Sequence, residues 1–188
     1  MSAPLRLRWA ALAALLPALS SCREATQVKV DVWTDLPCEE THGTALFVGR
    51  AGDDLERKPP ARVSLRCDPA SKRLGGLVLV PTGDERDAEL AFNLVTAVKV
   101  PSVDQCLAPA YEGCIVARRV LRYVPHTTLF LDVPMSANCV SVECDAKSTC
   151  YDADECRSSD IEDPDRCTTP GACGPDVLPP GGPAGGAG

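Results

Sequence analysis

The stretch VKVDVW, residues 28–33, decides the fold class. Val28, Val30 and Val32 fall on one side and Lys29, Asp31 and Trp33 on the other. A period of two with β-branched residues on one face is the signature of a half-buried strand. The same grammar recurs downstream. Residues 45–48 are a short apolar run after His42-Gly43. Val63, Leu65 and Cys67 alternate with Arg62, Ser64 and Arg66, which predicts an inward Val63, Leu65 and Cys67. Residues 77–80 follow the Gly75-Gly76 turn and stop at Pro81. Leu90, Phe92, Leu94, Val98 and Val100 share one parity, and Glu89, Asn93 and Lys99 the other. Residues 87–97 are long enough for a helix, but the β-branched residues and Pro101 favour a strand. Residues 115–124 and 127–133 flank Pro125-His126 and read as a hairpin.

Seven short strands separated by Gly, Pro and Asp clusters predict an all-β domain over residues 28–135. The natural architecture is an antiparallel two-sheet sandwich of the immunoglobulin-like kind. Cys106 and Cys114 end one connection and can staple it. Cys38 follows the first strand and Cys67 ends an inward-facing one, so a Cys38–Cys67 bridge would tie the sandwich together. Each bridge stabilises by about 2–4 kcal/mol.

From Cys139 the composition changes. Cys139, Cys144, Cys150, Cys156, Cys167 and Cys173 follow one another with almost no aliphatic residues between them. A segment this short has too little apolar surface for a core of its own, so disulfides among these six must replace one. Residues 136–173 therefore read as a small disulfide-rich knot. The spacing slightly resembles an EGF-like module, but ten residues separate Cys156 from Cys167 where that family has one, and no EGF function carries over. Residues 174–188 are mostly Gly and Pro and read as a disordered tail.

The amino terminus supplies the address. Arg6 and Arg8 precede an apolar run over residues 9–19, too short for a bilayer span of roughly 20 residues. A basic start, a short apolar stretch and small residues form a secretory leader. Leu19-Ser20-Ser21-Cys22 resembles the lipobox of bacterial lipoproteins. The resemblance implies a leader over residues 1–21, a diacylglycerol thioether on Cys22, palmitate or a similar acyl chain on its new amine, and a lipidated tether over residues 22–27. Arg23 stands where an Asp would signal inner-membrane retention, which points to the outer membrane. Cys22 also resolves a parity problem. The chain has eleven cysteines, and setting Cys22 aside leaves an even set in a compartment where disulfides persist.

The segments TDLPC (from Thr34), GCIVARR (from Gly113), VPH (from Val124) and CVSVECDAKSTC (from Cys139) together resemble cysteine-rich lipoproteins of myxobacteria. That group has no established activity, so the resemblance implies architecture and envelope location alone.

Chemistry is sparse. The net charge of −7 offers no electrostatic footprint for nucleic acid. The absence of any C-x-x-C pair argues against a zinc ribbon, a thioredoxin-like motif and a haem attachment site. No nucleophile elbow, zinc-protease helix, P-loop or dinucleotide fingerprint is present. The two histidines, His42 and His126, read as loop and turn residues. Arg118 and Arg122 read as the solvated face of a strand, with Arg119 on the apolar parity, at a bend or beside a carboxylate. Asp152, Asp154 and Asp163 are the calcium candidates within an acidic cluster. Calcium takes about six to eight oxygen ligands, yet Cys156 stands where a third alternate carboxylate would be needed. No cofactor is expected. The functional expectation is a lipid-anchored, non-catalytic envelope protein with an envelope protein or glycan as partner. The alternative is an inhibitor or ligand-binding module, calcium-dependent or not, that uses the Cys156–Cys167 loop. An enzyme with an unrecognised site ranks below both.

Overall fold

The computed structural model describes residues 23–83, 87–153 and 155–180. Cys22 and Asp154 lie outside the described residues, as does the tail beyond Pro180. The fold is an all-β sandwich with a disulfide-rich segment, and each of its seven strands overlaps a stretch that the sequence pattern marked. They are β1 (Gln27–Thr34), β2 (Thr44–Gly49), β3 (Arg62–Ser64), β4 (Arg73–Leu79), β5 (Glu89–Ala97), β6 (Cys114–Arg122) and β7 (Thr128–Met135). One sheet has the order β4-β1-β7 and the other β3-β2-β5-β6. The second order, with β1 beside β4 in the facing sheet, is that of the C′-C-F-G and B-E strands of an immunoglobulin-type sandwich.

Two stretches differ from expectation. Gly75-Gly76 is not a turn: both residues lie inside β4, beside Val32 and Asp31 of β1. The stretches around Pro125-His126 do not form a hairpin. β6 pairs with β5, whereas β7 crosses to the other sheet and pairs with β1. That pairing is parallel, Val30 lying beside Leu131, so the sheet is mixed and not purely antiparallel. Burial explains the crossing. Val28, Val30 and Val32 alone leave the facing sheet partly uncovered, and Leu129, Leu131 and Val133 complete the inner face, each at most 2% exposed.

The main core lies between the sheets, where these residues meet Leu90, Phe92, Leu94, Ile115 and Leu121. A smaller core covers the outer face of the second sheet. There Val95, Ala97 and Val116 pack under Val103 and Tyr111, from the connection closed by Cys106–Cys114. That is why β5 is buried on both faces after Glu89.

All ten cysteines from Cys38 onward are bridged: Cys38–Cys67, Cys106–Cys114, Cys139–Cys150, Cys144–Cys156 and Cys167–Cys173. The last six pair among themselves around a hairpin of β8 (Ser148–Asp152) and β9 (Glu155–Ser158). The segment is not a self-contained knot, because Cys139, Ile161, Cys167 and Cys173 belong to the sandwich core. Order also runs past Gly174: Pro175–Val177 form a 3₁₀ turn and Leu178 is 2% exposed in the same core. Residues 174–180 are therefore not the disordered tail that the Gly/Pro composition suggested.

Candidate functional site

The cysteine-rich segment occupies one long side of the sandwich. A strand at the rim of a sheet leaves a row of unpaired backbone donors and acceptors. At the β6 rim, Arg118 N donates to Thr149 Oγ1 at 3.1 Å, Val120 N to Ser159 O at 2.8 Å, and Ile161 N to Val120 O at 2.8 Å. At the β7 rim, Phe130 N donates to Cys167 O at 2.7 Å and Asp132 N to Cys173 O at 2.8 Å. One segment thus seals the edges of both sheets. Ser159 and Ile161 are buried in doing so, which removes them from any contacting loop between Cys156 and Cys167.

Sealing this side buries two of the three arginines of β6. Arg118 is not on a solvated face; it is 5% exposed, because β8 and the Leu55–Arg57 turn lie over it. Its Nη2 donates to Glu56 Oε1 at 2.7 Å, its Nη1 to Ser148 O at 3.2 Å, and its guanidinium lies 5.6 Å from the Tyr111 ring centroid. Burial, and secondarily the Glu56 carboxylate, push the Tyr111 hydroxyl up to about 12. Arg119 is 4% exposed in regular strand register opposite Phe92, with no bend and, among the described residues, no carboxylate paired with it. Its Nη1 donates to Arg118 O at 2.7 Å and Thr149 Oγ1 at 3.3 Å, and burial lowers its pKa to about 10. Arg122 is the exposed one, 3.6 Å from Asp165. These groups hold the segment in place. Arg118, already paired, is no anion site.

The remaining candidates do not converge. Among the described residues no three His, Cys, Asp or Glu side chains gather as metal ligands. Asp152 Oδ1 accepts from Asn138 Nδ2 and Ala153 N, and Asp163 precedes the Pro164–Arg166 turn. His42 is exposed, and His126 accepts from Arg23 at 3.2 Å through Nε2. Among the described residues neither imidazole is hydrogen-bonded to a hydroxyl, a thiol or a carboxylate, so neither begins a hydrolytic triad.

The opposite long side is open. A cleft of about 410 Å³ separates β4 from β2 and β3, with Leu46, Leu77 and Leu79 on its walls and Arg62 and Arg66 at its mouth. The faces of β3 are reversed from expectation. Val63 and Leu65 are 45% and 81% exposed, whereas Arg62 pairs with Leu46 on the core-facing side. The reversal follows from register. Val63 lies opposite Ala45, whose side chain belongs to the outer core. From Leu74 to Leu79 the outer rim of β4 has no backbone partner among the described residues. Arg62 and Arg66 have no ion-pair partner among them either. Alternation at residues 62–67 was visible in the sequence, but the side it buries was not.

Compared with protein-family models, curated proteins and solved structures, the chain matches none.

Proposed function

We propose that this protein is held at a bacterial cell envelope, at the outer membrane, by lipid on Cys22, and that it acts there by binding a partner without catalysis. The observation that carries the reading is the pairing of every cysteine from Cys38 to Cys173 into five bridges. It leaves Cys22, directly after Leu19-Ser20-Ser21, with no cysteine of this chain to pair with. Five bridges require an oxidising compartment, and the leader supplies the route to one. One acyl chain binds a membrane only marginally, so stable anchoring needs the two or three that a lipobox cysteine receives. A binding role is supported by the open cleft on the side away from the cysteine-rich segment.

The test is metabolic labelling of the full chain with palmitate in a bacterial host, followed by envelope fractionation. Label and membrane partitioning are expected for the natural chain and both should be lost in Cys22→Ser. Membrane partitioning unchanged by that substitution sinks the anchoring.

A further inference from the structure

The two long sides of the sandwich are treated in opposite ways. On one, four backbone–backbone hydrogen bonds, the bond from the Arg118 amide to the Thr149 hydroxyl and three disulfides seal both rims. On the other, the β4 rim has no backbone partner among the described residues, and the half-buried Leu77 and Leu79 line a cleft between the sheets. We propose that this open side is a docking groove for an extended partner segment in which apolar and acidic side chains alternate, added as a further strand beside β4. The proposal places the partner binding inferred above on one surface, and it stands or falls independently of the lipid anchor.

Three observations select this occupant. The free backbone of β4 offers the main-chain bonds by which strand addition gains affinity, and alternate side chains of an added strand enter the groove. The groove walls are aliphatic, which suits valine, leucine or isoleucine at every second position. Among the described residues the groove is lined by Arg62 and Arg66 and by no carboxylate, on a chain whose overall charge is −7. A second copy of this chain is a poor occupant. Pairing β4 with β4 about a two-fold axis brings two sets of Arg62 and Arg66 together at the same groove, and like charges there oppose closure. Inward charges on an edge strand also guard against promiscuous pairing. That role accounts for rejection of apolar strands, but it predicts no preference for acidic ones.

The experiment uses the full mature chain and two eight-residue peptides, one alternating valine with glutamate and one alternating valine with lysine. Binding is followed by amide chemical shifts and hydrogen exchange. The glutamate peptide should bind, protect rim amides between Leu74 and Leu79, and bind at least roughly tenfold more tightly than the lysine peptide. In Arg62→Glu/Arg66→Glu the preference should invert. No binding of the glutamate peptide at millimolar concentration, equal binding of both peptides, shifts confined to another surface, or a concentration-dependent dimer that occupies the β4 rim would each overturn the proposal. Both arginines are exposed, so the double variant retains the core.

Discussion

Glu56 shows how one exposed turn governs a buried charge. Its carboxylate, 22% exposed, is the anion that faces the nearly buried Arg118 guanidinium. An isolated buried charge is far more costly than an unpaired surface one, and breaking a fully buried pair costs roughly 3–5 kcal/mol. Glu56 keeps some solvent, so Glu56→Gln is expected to destabilise by about 2 kcal/mol. Chemical denaturation of the two proteins checks it. A loss below a few tenths of a kcal/mol would mean that Ser148 O and the Tyr111 ring hold Arg118 without help. Arg118 Nε has no hydrogen-bond partner among the described residues, so little reserve exists to absorb the change.

At the level of elements, the β6 rim depends on a side chain standing in for a strand. Thr149 is fully buried, and its hydroxyl accepts from both the Arg118 amide and the Arg119 guanidinium. Thr149→Val keeps the shape and removes that acceptor. An unsatisfied buried donor costs about 1–3 kcal/mol, so thermal unfolding should shift by that amount, and exchange of the Arg118 amide should accelerate ahead of the sheet interior. Uniform acceleration across β5 and β6 would instead mean that the rim opens only with the whole domain. The same elements show what a single chain reveals before it is folded. Val28, Val30 and Val32, or Leu129, Leu131 and Val133, announce their strands because one face meets a core. The parallel neighbour of β1 is invisible locally, since Val30 and Leu131 meet only through the tertiary structure. Arg118 was misread for the same reason: a charge in a strand looks solvated until Ser148, Thr149 and Glu56 arrive from elsewhere in the chain. Val63 and Leu65 read as inward because alternation reports two faces without saying which is covered. The cysteines were more legible, because loop ends and parity constrain pairing without reference to the core.

For the molecule as a whole, three buried groups set the response to alkali. Burial holds Tyr111 and Tyr123 up at about 12, with Glu56 adding to the effect on Tyr111, while it brings Arg119 down to about 10. Above pH 10 the unfolded tyrosines release protons that the folded ones keep. Their contribution is complete below that pH and is lost as pH climbs towards 12. Arg119 acts in the opposite sense, because there the folded state gives up its proton first and gains stability as pH rises. Two tyrosines outweigh one arginine, so stability should fall by about 1.4 kcal/mol per pH unit between roughly pH 10 and 12. In Tyr123→Phe the remaining two groups nearly cancel and the curve should flatten. Denaturation curves taken within minutes at each pH, before alkali attacks the disulfides, measure the slope. A rising slope would show that Arg119 dominates.

The parallel pairing of β1 with β7 also sets a timetable. Gln27 and Thr128, which share a side-chain hydrogen bond at one end of that pair, are 101 positions apart in the chain. Of the seven sandwich strands β1 is made first and its long neighbour last, and contacts of such long range close slowly. Until β7 emerges, β1 has only β4 to lean on and the inner face of its sheet stays incomplete. The sandwich thus cannot close until β7 has been made, so most of residues 27–135 must wait unpaired on their inner faces before the core is complete.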